Sequence, residues 1–216
     1  MERIPETLVR ALVSGAITGR ANVVGYSCEY HVRIRAGQEV PGSRVLRVYL
    51  SRKLPKDQLR PQDIIPATFW GCETDCVVIG EVVAAALVRP TREYNPDRFI
   101  SPQRRALGIA ARLSAPVEPV VGLAVLKEGR TTGVTRGTII DTEATLSVNY
   151  GEALGNITFS RCLVIEGKPG AYLAGGDSGS VTREDSGTPE QQAAVGLNFA
   201  GTTGGYGIAN RMSLVA

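Results

Sequence analysis

The stretch Leu173–Val181, LAGGDSGSV, packs three glycines, two serines and an aspartate into nine residues. Glycine reaches backbone angles closed to other residues, so Gly175-Gly176-Asp177-Ser178-Gly179-Ser180 can close a tight turn. Such a turn can expose a serine hydroxyl and aim N–H groups at one point, the arrangement that stabilises an oxyanion. The same residues also build ordinary surface turns. What surrounds the turn sharpens the reading. A β-rich segment precedes it, and another strand, AVGLNFAG over Ala194–Gly201, follows shortly after. A serine that attacks a carbonyl needs a base, and the chain has a single histidine, His31, far upstream.

The 216 residues suffice for one large domain or two small ones with a real core. Glycine is abundant and aromatics are few, which suits a turn-rich β fold better than a helical bundle. A net charge of +3 is too mild to point to nucleic acid. Apolar runs such as Val82–Val88 and Pro119–Leu126 are too short to span a bilayer, and MERIPETLVRALVSG lacks the pattern of a signal peptide. A cytoplasmic protein without membrane contact is the expectation. Four cysteines are too few for a disulfide framework. Cys28, His31, Cys72 and Cys76 could offer zinc ligands, but their spacings fit structural zinc sites poorly. Residues 28 and 31 of a strand also face opposite sides. No metal and no cofactor is expected, and the cysteines read as small buried hydrophobes.

The chain reads as two unlike halves. In the first, Pro5 opens a helix with Leu8, Val9, Leu12 and Val13 at helical spacing, ended by Ser14-Gly15. NVVGYSCEYHVRIRAG alternates as a strand, with Val24, Tyr26, Cys28, Tyr30, Val32 and Ile34 on one face. SRVLRVYLSRKL gives a second strand, PKDQLRPQDIIP a short polar connection, and GCETDCVVIGEVVA another strand. This predicts a small α+β domain over residues 1–86. Residues 87–112 read as a linker; from Arg89 to Arg112 six arginines and three prolines stand against two acidic residues. From residue 113 to 216, short apolar runs punctuated by Gly and Thr predict an antiparallel barrel or sandwich, with turns at roughly ten-residue spacing.

Here the resemblance becomes specific. Residues 121–214 resemble the second barrel of a trypsin-like serine peptidase of chymotrypsin fold. Lys127-Glu-Gly-Arg-Thr-Thr-Gly-Val-Thr-Arg-Gly137 is similar to the opening strands of that barrel in a bacterial group. Gly175–Val181 resembles its nucleophile loop, Val195–Gly201 the strand lining its specificity pocket, and Tyr206–Leu214 its closing strand and final helix. GYSCEYHVRIR, VLRVYLSRKLP and ETDCVVIGE resemble the N-terminal accessory domain of the same group. The resemblance implies an α+β N-terminal domain followed by an antiparallel β-barrel. It makes Ser178 the nucleophile, with the N–H groups of Gly176 and Ser178 as oxyanion donors. Asn198, Phe199, Ala200 and Gly201 would hold the substrate, and Asp177 would shape the loop.

The departure from that family lies between Val83 and Leu87. The chain passes there almost directly to what resembles the end of the first barrel, and Ala84-Ala85-Ala86 stands where the triad aspartate is expected. A serine without its partners is a weak nucleophile. His31 is the candidate substitute base; otherwise it reads as a solvated strand histidine. Lys127 or Lys168 could serve in a Ser–Lys dyad, although Lys127 belongs to a motif with a structural reading. Two functions remain open. One is a peptidase homologue, impaired or inactive, that acts by binding or assembly. The other is an active endopeptidase whose base comes from His31 or a partner chain. The expected partners are a protein or peptide, or further copies of the chain covering an exposed barrel face. Nucleic acid is not expected.

Overall fold

The computed structural model describes residues 2–35, 38–84, 116–150, 155–186 and 192–215. The basic stretch expected as a linker, 87–112, lies outside them. The described chain is mostly β-sheet, with one short α-helix and eleven strands. It divides into two compact units. One gathers Met1–Val83, Glu143–Cys162 and Thr202–Gly204; the other gathers Ala84–Thr142, Leu163–Gly201 and Gly205–Ala216.

In the first unit, helix α1 (Glu6–Ala11) starts directly after Pro5, whose ψ of 145° keeps it extended. The helix widens into a π turn over Leu12–Ala16, and Gly15 at φ +89° ends it, as the Ser14-Gly15 signal predicts. Leu8 and Leu12 turn inward and join Ile4, Ile17, Tyr26, Leu46, Val48 and Leu50 in one core. Strands β1 (Val23–Arg35) and β2 (Gln38–Leu50) are antiparallel, with Val23 opposite Leu50 and Arg35 opposite Gln38. The short β3 (Thr68–Phe69) forms a hairpin with β4 (Cys72–Val78), and β4 runs parallel to β2. β2 therefore lies between β1 and β4, and Val45 to Tyr49 are buried on both faces.

Two expectations for β1 need correction. Its apolar face is core only as far as Tyr30, and Val32 and Ile34 are 36% and 48% exposed. The packed residues Ile4, Leu8 and Leu12 come from the short N-terminal segment, which cannot cover thirteen residues of strand. The opposite face is buried but polar, through Ser27, Glu29 and His31. His31, read as solvated, is 3% exposed, and its Nε2 lies 2.8 Å from Ser27 Oγ. Three of the cysteines, Cys28, Cys72 and Cys76, pack against the core, and all four are free. Among the described residues no cluster of three or more His, Cys, Asp and Glu could hold a metal.

Six strands pair in a ring. The order runs β7 (Gly133–Asn149), β6 (Ala124–Gly129), β9 (Val181–Glu184), β10 (Ala194–Thr202), β11 (Gly207–Arg211) and β8 (Asn156–Gly167). A further pairing of β8 with β7 closes it, and both of these strands run on into the first unit. The β6–β7, β6–β9, β9–β10 and β10–β11 pairs are antiparallel. β5 (Val82–Ala84) pairs with β7 and β10. Val125, Ile139, Leu163, Ile165, Tyr172, Leu173, Val195 and Ala209 fill the core. No helix among the described residues is long and apolar enough to cross a membrane.

Candidate functional site

The turn after Leu173 is held from below by one side chain, Asp177. Its carboxylate has no exposed surface and collects five hydrogen bonds. Oδ1 accepts the N–H groups of Thr131 (2.7 Å) and Thr132 (3.2 Å). Oδ2 accepts Thr132 Oγ1 (2.7 Å), Lys127 Nζ (3.0 Å) and the Ala174 N–H (3.1 Å). Lys127 is equally buried and also donates to Thr132 Oγ1 and the Gly133 carbonyl. Burial alone would push the Asp177 carboxyl up; the bonds from Thr132, Thr131, Lys127 and Ala174 outweigh it and hold the group well below the usual carboxylate range. Burial lowers Lys127 below an ordinary lysine, against the pull of Asp177. This fits the expectation that Asp177 shapes the loop.

Glycines make the arrangement possible at two places. Gly176 has φ +98°, and a Cβ there would meet Arg130 and Thr131 at 2.6 Å. Gly129 faces Asp177 so closely that a Cβ would sit 2.3 Å from its carboxylate. Gly129, Thr131 and Thr132 were not singled out from sequence, because nothing local marks a residue whose partner is some forty-five positions away. Their membership in the Lys127–Gly137 motif was the available signal.

Above this anchor the turn presents Ser178. Asp177 N–H bonds to the Ala174 carbonyl, Ser180 N–H to the Asp177 carbonyl and Gly179 N–H to the Asn198 carbonyl. The N–H groups of Gly176 and Ser178 have no hydrogen-bond partner among the described residues. Two unpaired amides flanking a serine are what a carbonyl oxygen needs to be held. The partner of the Ser178 hydroxyl is the Phe199 carbonyl, 3.4 Å away, to which it donates.

The segment Asn198–Gly201 lies in β10. Asn198 is buried and fully occupied by the turn: its Nδ2 donates to the Ser180 carbonyl (3.0 Å) and Ser180 Oγ (3.1 Å). Its Oδ1 accepts Thr182 Oγ1 at 3.0 Å. Thr182 in turn lies 3.0 Å from the Tyr172 hydroxyl, so the network ties turn to core. A register shift against β11 between Asn198 and Ala200 sets Phe199 apart from the regular ladder. Phe199 and Ala200 are buried, and Gly201 is half-buried against the Leu173 carbonyl. Ser178 and Gly176 thus share one turn, and the Phe199 carbonyl of β10 meets the Ser178 hydroxyl. His31 belongs to the first unit, bonded to Ser27, and Ser178 to the second.

Residues 107–212, which contain this turn, match the family model described as the Nal1 C-terminal domain. Among solved structures the chain is similar to one described as a glutamic-acid-specific serine protease that uses a novel histidine triad in substrate binding. The identity is 27%, the TM-score 0.35, and the match covers 48% of this chain and 49% of that chain. The match therefore spans about half the length of that protein. No curated protein matches.

Proposed function

We propose that this chain is a trypsin-like serine peptidase homologue whose Ser178 turn binds a peptide or protein carbonyl without hydrolysing it. The observation that carries the reading is the bonding of the Ser178 hydroxyl. It donates to a backbone carbonyl, that of Phe199, which cannot take its proton. The candidate bases named from the sequence have partners of their own. Lys127 is buried against Asp177 and Thr132, and His31 against Ser27. The amides of Gly176 and Ser178 support the binding half of the proposal, since they can receive a carbonyl oxygen whether or not the hydroxyl attacks. The resemblance of the whole segment to a second chymotrypsin-type barrel, and of the first half to an accessory domain, belongs to the same proposal. So does a protein or peptide, or a second copy of the chain, as the partner.

Fluorophosphonate labelling of the purified chain tests it, beside Ser178→Ala and with the oligomeric mass recorded. The expected result is labelling of the wild type no faster than of Ser178→Ala. Labelling that disappears in Ser178→Ala would overturn the reading in favour of an active endopeptidase. Its loss in His31→Ala would then identify the base, and its survival would point to a base from another chain.

A further inference from the structure

The turn that carries Ser178 has a cation packed against it. Arg130 follows β6 directly, and its guanidinium lies on Gly176: a Cβ on that glycine would meet Arg130 Nη2 at 2.6 Å and Cζ at 3.3 Å. The next residue fixes this placement. Thr131 Oγ1 donates to the Gly175 carbonyl (2.8 Å), and the Thr131 N–H donates to Asp177 Oδ1 (2.7 Å). Arg130 itself is exposed and has no hydrogen bond or ion pair among the described residues.

The charges beneath the turn cancel. Asp177 is matched by Lys127 at 3.0 Å, with neither side chain exposed. Glu128, the other acid of β6, has Arg183 as an electrostatic neighbour. Arg130 is left without a counter-charge, beside a turn whose Gly176 and Ser178 N–H groups have no acceptor. Free N–H groups of a turn form a concavity suited to an anion. A neutral peptide carbonyl would occupy the two amides and leave the guanidinium unmatched. A carboxylate offers one oxygen to the amides and a second to the guanidinium, and hydrogen bonds to an ionised group are the stronger kind. Capture of a chain terminus in a backbone nest is a recurring mode of peptide recognition.

We propose that the group held by the Ser178 turn is the C-terminal carboxylate of a peptide or protein, one oxygen on the Gly176 and Ser178 amides and the other on Arg130. This rests on the reading of the turn as a carbonyl-binding site and names its ligand. The test is titration of the isotope-labelled full chain with acetyl-trialanine, with its C-terminal amide, and with acetyl-Ala-Glu-Ala-amide, following the amide resonances of Gly176 and Ser178. The free acid is expected to move both resonances and to bind about tenfold more tightly than either capped peptide, the worth of a charge-assisted hydrogen bond. Arg130→Gln, at an exposed position without a partner in the fold, is expected to bring the acid to within about threefold of its amide while the rest of the spectrum stays that of the wild type. Equal affinity for the acid and its amide, or an acid preference that survives Arg130→Gln, would overturn the proposal and leave the carbonyl reading standing. Binding of the Glu peptide as tight as that of the acid would overturn it in favour of a side-chain carboxylate. Peptides that move neither resonance would overturn the proposal and the carbonyl reading together.

Discussion

A lysine and an aspartate with no exposed surface stay charged only if each supplies what water no longer does. Lys127 and Asp177 meet that condition at 3.0 Å, helped by the hydroxyl of Thr132 and three backbone N–H groups. Removing one partner of such a pair leaves a buried charge short of its counterion, a loss of roughly 3–5 kcal/mol. Lys127→Met should therefore destabilise the chain by about that much in urea denaturation, without new exposure of the turn as the first cause. A cost below about 1 kcal/mol would mean that the hydrogen bonds to Asp177 suffice alone. The roles of these two residues were legible in the sequence through the motifs that contain them. Gly129 and Thr131 were not, because their function is to leave room for, or donate to, a carboxylate distant in the chain.

At the scale of elements, alternation identified β1 and β2, the helical spacing with Gly15 identified α1, and GCETDCVVIGEVVA, read as one strand, holds two, β4 and β5. Turn spacing misled in the second half. Glycine and threonine suggested breaks about every ten residues, yet β7 runs for seventeen. Gly137 does not interrupt it, since a Cβ there would collide with the Glu166 carbonyl and Tyr172; it marks a close approach rather than a turn. The parallel pairing of β2 with β4 was likewise invisible, as it depends on where the 51–67 connection returns the chain. The β3–β4 turn offers a test of local strain. Trp70 and Gly71 have φ of +51° and +78°, values a tight hairpin turn demands at both positions. Glycine meets this freely, but tryptophan does so at a cost of about 1 kcal/mol. Trp70 is 67% exposed and has little packing to lose. Trp70→Asn should raise stability by about 0.5–1 kcal/mol, because asparagine tolerates left-handed angles. A drop in thermal midpoint would instead reveal packing by the indole that outweighs its backbone strain.

For the whole molecule, the decisive sequence fact is the single histidine, and its surroundings could not be read locally. Alternation put His31 on the face opposite Tyr30, which looked like solvent; the fold buries that face and its Ser27 and Glu29. Global stability gives the most direct view of the other ionisable centre. Asp177 is held well below the ordinary carboxylate range in the fold, through Thr132, Thr131, Lys127 and Ala174 acting against burial. A carboxyl with a depressed folded pKa adds stability that is complete above its unfolded value of about 3.9. That stability is lost as the pH falls through the lower folded value, where the folded protein finally takes up the proton that the unfolded chain has already bound. Asp177→Asn cannot show this dependence. The difference in thermal midpoint between wild type and Asp177→Asn should therefore stay level from about pH 7 to 5 and narrow only below about pH 4. A gap that closes between pH 7 and 5 would mean that Asp177 is protonated in that range, and that the Lys127 pairing does not hold the turn in its charged form.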